Sequence, residues 1–272
     1  MDPKSFQCSS KLSVMFVLYF LGAVFAASGN IIKEAGQSKA HTIPSFIKIC
    51  HRDDPLLDEC VKESVEEIRP YLKEGIPELH IPSCEPLVLP EVVMNQGRGS
   101  VTVQSRYTDL HIYGPTDFKL HQVKVDLDKD RVKIKLSIPK LRTKGNYTIS
   151  GRILMLPISG SGESRGNYSN IEATALIQAE RIKKDNKTYI HVQDFFVDFT
   201  IGHAAVHLSN LFDGDKQLGD AMNEFLNDNW KNVAQEMKPV LEKTIGDLFK
   251  KFANRIYNTY PMDVLLPLSK SK

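Results

Sequence analysis

The sequence predicts an α+β fold, a strongly curved antiparallel sheet wrapped along one long helix, and three observations carry this. Residues 216–257 place apolar side chains at Leu218, Met222, Phe225, Leu226, Val233, Met237, Leu241, Ile245, Leu248, Phe252 and Ile256, the helical period. From Ser100 to Leu211 the period is instead close to two, as in Val132, Ile134, Leu136 and Ile138 alternating with Lys133, Lys135 and Ser137. Within that tract the apolar phase flips twice, from Phe118 and Leu120 to Val123, Val125 and Leu127, and from Ile190 and Val192 to Phe195, Val197, Phe199 and Ile201. A phase flip marks a bulge or bend, and bends are what a long sheet needs in order to curl around a helix.

The chain opens on an expected address. Lys4 and Lys11 precede the apolar run Leu12 to Ala26, and Val24, Ala26 and Ala27 are small, so residues 1–26 read as a secretory signal peptide cut after Ala26. The run is short for a membrane span of ~20 residues, and no later segment is apolar enough for one. Residues 27–44 read as a flexible mature N-terminus, 45–267 as one domain, and 268–272 as a tail. The formal charge of +2 falls to +1 once Lys4, Lys11 and Asp2 are removed. Such a balance recommends neither nucleic acid nor any strongly charged partner.

Asp58 to Lys73 reads as a short helix with a stripe of Cys60, Val61, Val65, Ile68 and Leu72, ended by Gly75-Ile-Pro. The proline-rich stretch IPSCEPLVLPEVVM is extended. LDKD at 127–130 and KDNK at 184–187 read as hairpin turns, and the glycine-rich SGSGESRG at 159–166 as a flexible hairpin tip. Ala173, Ala175, Ile177 and Ala179 give one strand face that is notably small. The final helix, at 1.5 Å per residue, would be about 60 Å long. A globule of this size is only about 45 Å across. The helix therefore either breaks near Pro239 or sits in an elongated domain, and the wrapped sheet would leave a long apolar seam.

In a secreted chain Cys50, Cys60 and Cys84 remain after cleavage, which is one pair and one left over. Pairing Cys50 with Cys60 closes a short polar loop and staples the extended N-terminal segment to the first helix, contributing ~2–3 kcal/mol by loop entropy. Three sequons, at Asn146, Asn167 and Asn186, each next to an expected turn, fit an extracellular glycoprotein.

Motifs for chemistry are weak or missing. Asp126, Asp128 and Asp130 open like a calcium loop, but Arg131 and Ser137 stand where glycine and glutamate are needed. His203 and His207 have the spacing of a zinc helix inside a strand pattern and lack the intervening glutamate. No G-x-S-x-G elbow occurs. No catalytic residue, metal or cofactor is expected.

The tract LFDGDKQLGDAMNEFLNDNWKNVAQEMKPVLEKTIGDLFKKFANRIYNTYPMDVLLP resembles the C-terminal signature of the insect takeout and haemolymph juvenile-hormone-binding proteins. NLF-x-GD-x-x-LGD, FLN-x-NW and P-x-x-x-LLP carry the likeness, with DLHIYGPTDFKLHQVKVDLDKDRVKIKLSIPKLRTKGNYTISGRILMLPISGSG and the cysteine before DDPLLDECV. It covers roughly residues 45–267, and Cys84 departs from the pattern. The carriers of juvenile hormone proper have a second, later disulfide. No cysteine follows Cys84, so the takeout-like subgroup is the better match.

The resemblance implies a TULIP-like super-roll with an internal hydrophobic tunnel, and a secreted carrier linked to hormone transport, feeding, circadian output or chemosensation. The expected ligand is a terpenoid, fatty acid or quinone-like lipid, juvenile-hormone relatives included. The expected lining is Tyr113, Phe118, Leu136, Ile138, Ile153, Met155, Phe199, Phe225, Trp230, Met237, Leu241 and Ile245, with Met155, Met222 and Met237 letting it adapt. A pattern fixes the inward face of these residues, not whether they line a space or pack a core. The expected state is a monomer, without nucleic acid or transmembrane anchor. The alternatives are a secreted interaction protein read by a cell-surface receptor and, more distantly, a lipid-ester hydrolase.

Overall fold

The computed structural model describes residues 43–154 and 156–269. The expected signal peptide, nearly all of the 27–44 segment, Met155 and residues 270–272 lie outside the described residues. The first helix, α1 (Leu57–Glu74), is followed by six strands: β1 (Leu87–Arg98), β2 (Val101–Tyr113), β3 (Lys119–Asp126), β4 (Arg131–Ile153), β5 (Leu156–Lys184) and β6 (Lys187–Leu208). Helices α2 (Lys216–Asp228), α3 (Trp230–Tyr257) and the short α4 (Met262–Leu265) close the chain. The strands form one antiparallel sheet in the order β1-β2-β4-β5-β6, with β3 added to β4.

β4 and β5 run 23 and 29 residues, far beyond the usual 3–10, so they must bend. Both expected phase flips are bulges: the register shifts between Leu120 and Gln122 in β3, and at Gln178/Ala179 opposite Gln193 of β6. A third bend, not foreseen, crosses the middle of the sheet at Pro139, Asn170 and Gly202. The inward set steps from Ile138 to Leu141 on β4, from Tyr168 to Ile171 on β5 and from Ile201 to Ala204 on β6. Asn170 takes the left-handed φ of 52° that this crease needs.

The turns at 127–130 and 184–187 are hairpin tips as expected, with Asp185 and Asn186 both at positive φ. SGSGESRG is not a tip. It is paired strand within β5, and the β4–β5 turn lies instead at Ile153–Leu156. Its glycines are there for close approach: a Cβ on Gly162 would sit 2.6 Å from the Ser209 carbonyl oxygen, where the chain leaves β6 and runs on against β5. For the same reason Asn146 and Asn167 are not beside turns. They lie mid-strand in the continuous β4–β5 pair, exposed, and only Asn186 is at a turn.

The long helix breaks at Asn229 (φ −103°, ψ 17°), not at Pro239, which sits inside α3 on its exposed side. Its 28 residues span about 42 Å. α2 and α3 lie along the free edge of β6 and satisfy its unpaired backbone. The Asn223 amide accepts from Leu208 N at 2.8 Å and donates to Leu208 O at 2.9 Å. Asn227 does the same at Val206 and Asn254 at Val192, each at 2.8 and 2.9 Å. Gly246 lets the Phe195 carbonyl come so close that a Cβ would collide with it. On the opposite edge Leu248 and Phe252 pack against Leu87 and Leu89 of β1, and Gln96 donates to the Glu236 carbonyl at 3.1 Å. The helix thus spans the gap between the two edges of the curled sheet.

At one end α1 plugs the roll, with Val61, Val65, Ile68 and Leu72 all fully buried. Burial of such side chains stabilises by roughly 1.5–3 kcal/mol each. Cys50 and Cys60 are disulfide-bonded. The loop they close holds the C-terminus: Arg52 N donates to Pro267 O at 3.0 Å, the Arg52 guanidinium pairs with Asp263, and Asp53 accepts from Ser269 N at 2.8 Å. Cys84 stays outside the disulfide. Its buried thiol donates to the Pro82 carbonyl at 3.5 Å, and burial pushes its pKa up to about 12.

Replacing Asn223 with Ala should leave the Leu208 N–H and C=O unpaired beneath α2. The expected cost is about 1–3 kcal/mol in urea denaturation, against near-neutral behaviour for an exposed control such as Glu224→Ala. Equal midpoints for the two variants would mean that the amide does not hold the edge.

Candidate functional site

The packed interior is divided. One cluster joins α1, the β3–β4–β5–β6 face beyond the crease, and Phe249, Ala253, Ile256 and Tyr257 of α3. The other joins Val101, Val103, Tyr147, Ile149, Ile153, Ile158, Leu208 and Leu211 to Met222 and Leu226 of α2. Between them the apolar residues on the inner face are only half-buried: Leu141, Tyr168, Phe199 and Ile201 near the crease, Tyr107 on β2, and Val233, Met237, Leu241 and Ile245 on α3, whose stripe continues through Leu248 and Phe252 into a third, small cluster with Leu87, Leu89, Leu110 and Ile112. The α3 set recurs at spacings of three and four, one continuous helical face.

Three tyrosines mark the middle of this stretch. Tyr107 and Tyr147 are direct cross-strand partners on β2 and β4. The Tyr147 hydroxyl donates to the Ser209 carbonyl at 2.7 Å, and burial raises its pKa to about 12. Burial likewise raises Tyr107, helped by the nearby phenols of Tyr168 and Tyr147, and raises Tyr168 against a partly offsetting hydrogen bond from Thr143. All three therefore stay neutral hydroxyls at physiological pH.

The expected lining residues divide accordingly. Phe199, Met237, Leu241 and Ile245 are half-buried on the inner side of this stretch, and Phe225 packs beside the second cluster. Phe118, Leu136, Ile138 and Ile153 point inward but are buried in the two packed clusters, at 2, 1, 8 and 5 % exposure. Tyr113 stands on the outer face, paired with exposed Arg142, whose guanidinium lies 5.3 Å from its ring centre. The Thr108–His111 register shift turns it there. Trp230 meets exposed His203 edge-on at 5.4 Å, at the seam of helix and β6. Met155 lies outside the described residues. Ala173, Ala175 and Ala179 are buried within the first packed cluster, away from the half-buried stretch.

Sequence reasoning did not single out Tyr107, Leu141, Tyr168 and Ile201, which share this half-buried stretch. Pro139 set between Ile138 and Leu141 was the available signal. The aspartates of the calcium-like tract are engaged locally, Asp126 accepting from Lys129 N at 3.0 Å and Asp130 pairing with Arg181. Among the described residues no cluster of three or more His, Cys, Asp or Glu could hold a metal, and no helix is long and apolar enough to cross a membrane.

A curled sheet closed by one long helix is also the fold of the takeout 1 protein of Epiphyas postvittana. Its crystal structure superposes with a TM-score of 0.67 at 26 % identity, over 80 % of this chain and 99 % of that one. The family model described as haemolymph juvenile hormone binding protein matches residues 20–267. The chain belongs to this family. Among its relatives are the circadian clock-controlled protein daywake of Drosophila melanogaster, 25 % identical over 81 % of this chain and 86 % of that protein, and a beta-carotene-binding protein of Schistocerca gregaria so described, 24 % identical over 81 % and 88 %. The super-roll that the sequence resemblance implied is the observed architecture.

Proposed function

We propose that the protein is a secreted, non-catalytic carrier that holds an elongated hydrophobic small molecule between the two packed clusters. The observation that carries this is the half-buried apolar face of α3, from Val233 to Ile245, grouped with the half-buried Tyr107, Leu141, Tyr168, Phe199 and Ile201. An apolar surface left inside a fold needs a partner, because exposing it to water is unfavourable. Family membership supports the reading, as does the carotene binding named for the Schistocerca relative.

The ligand class is a terpenoid, fatty acid or quinone-like lipid. Burying ten methylenes of such a chain contributes up to about 8 kcal/mol before association costs. Secretion is supported by the expected signal peptide and by the disulfide. It implies glycans on Asn146, Asn167 or Asn186, all exposed. Protein secreted from insect cells should lose mass on glycosidase digestion, and an unchanged mass would contradict glycosylation at all three.

Leu241→Trp tests the site. The larger ring should block the space, weakening an apolar fluorescent probe at least about tenfold, the equivalent of roughly two buried methylenes. The melting temperature should hold. If Leu241 instead packs a closed core, the substitution overpacks it, stability falls by about 1–3 kcal/mol, and the carrier reading loses its site.

A further inference from the structure

The convex outer face of the sheet is not uniform. β4 carries seven Lys or Arg residues and no Asp or Glu, and all seven are exposed. The whole chain is only +2, so this is a local concentration of charge. Across the sheet, one row of cross-strand partners reads Lys124 on β3, Lys133 on β4, Leu176 on β5 and Phe196 on β6. At about 4.8 Å per strand this row is about 14 Å long. Phe196 is 58 % exposed and Leu176 37 % exposed, side by side.

Two features of the row oppose folding stability. Lysines directly opposite one another on neighbouring strands repel, and a phenylalanine on the solvent face gains nothing from burial. Acids take up part of this charge, Glu163 lying 3.1 Å from Lys144. Asp58 holds Lys124 at 3.0 Å, Lys238 holds Asp198 at 2.6 Å, and Glu172 lies 3.9 Å from His121. Among the described residues no ion pair engages Lys133 or Lys135. Lysines beside an exposed aromatic ring and a leucine make up the chemistry of a lipid–water interface: the ammonium groups meet anionic headgroups while the rings and stems enter the apolar boundary.

We propose that this outer face docks the protein on an anionic phospholipid surface. Such docking would let a carrier exchange its cargo with a membrane. The charge and the apolar pair act together, since a purely acidic protein partner would use the lysines but has no need of Phe196 beside Leu176.

The test is flotation with vesicles of phosphatidylcholine containing phosphatidylserine, against vesicles of phosphatidylcholine alone. The intact protein should float with the first at low salt, stay behind with the second, and be released as salt rises. Lys133→Gln with Lys135→Gln should weaken vesicle binding about tenfold or more, and Phe196→Ser should weaken it at unchanged charge. Wild-type protein that ignores both vesicles, or variants that float like wild type, would overturn the proposal. The apolar probe separates this from the carrier reading: all variants should bind the probe as wild type does, because none of these residues lines the interior. Vesicle binding without any probe binding would sink the carrier reading and leave the docking face standing.

Discussion

A curled sheet that does not close on itself must dispose of two edges, and the rest of this structure depends on how α2 and α3 do so. Strand β6 offers a row of unpaired N–H and C=O groups that would otherwise pair with another chain or lie buried without partners. Three asparagine side chains, Asn223, Asn227 and Asn254, each return one donor and one acceptor to that row. An amide serves here because it carries both functions at the spacing of a backbone peptide group. Fixing the helix to β6 by its polar side and to β1 by Leu248 and Phe252 leaves its remaining apolar face turned into the roll. Edge protection and the creation of an interior are thus one arrangement.

The same interactions explain why particular motifs are diagnostic. The FLN-x-NW segment contains Asn227, which caps Val206, and Asn229, where the helix breaks. In P-x-x-x-LLP, Leu265 and Leu266 are buried and Pro267 accepts from Arg52 in the disulfide loop. These residues are fold determinants, and none of them touches the candidate site. The half-buried stretch itself offers apolar surface and hydroxyls that stay protonated.

Much of the fold was legible from residues because each feature has a local signature. Period two gave the strands, phase flips gave two of the bends, and polar pairs at 127–130 and 184–187 gave the tips. What was misjudged depends on contacts distant in sequence. Pro239 was one of two readings of the overlong helix, yet its missing N–H is tolerated on the exposed side of α3, and the break falls where Asn229 leaves helical geometry. SGSGESRG looked like a loop because its glycines make room for residues 209–211, which arrive from another part of the chain. Of the candidate site, part of the inward face was legible. Met237, Leu241, Ile245 and Phe199 follow from periodicity. Leu136 and Ile138 share that inward phase but are buried in the first packed cluster, and no pattern within β4 records what packs above it.

The central claim is that the space between the two packed clusters is occupied by a ligand rather than by side chains. The most direct measurement is a crystal structure of the protein as purified from a eukaryotic host. The account predicts elongated non-protein density running along α3 from Val233 to Ile245, in contact with Tyr107, Tyr168 and Phe199. Side chains closing that stretch into one continuous core, with no density and no room for any, would contradict it.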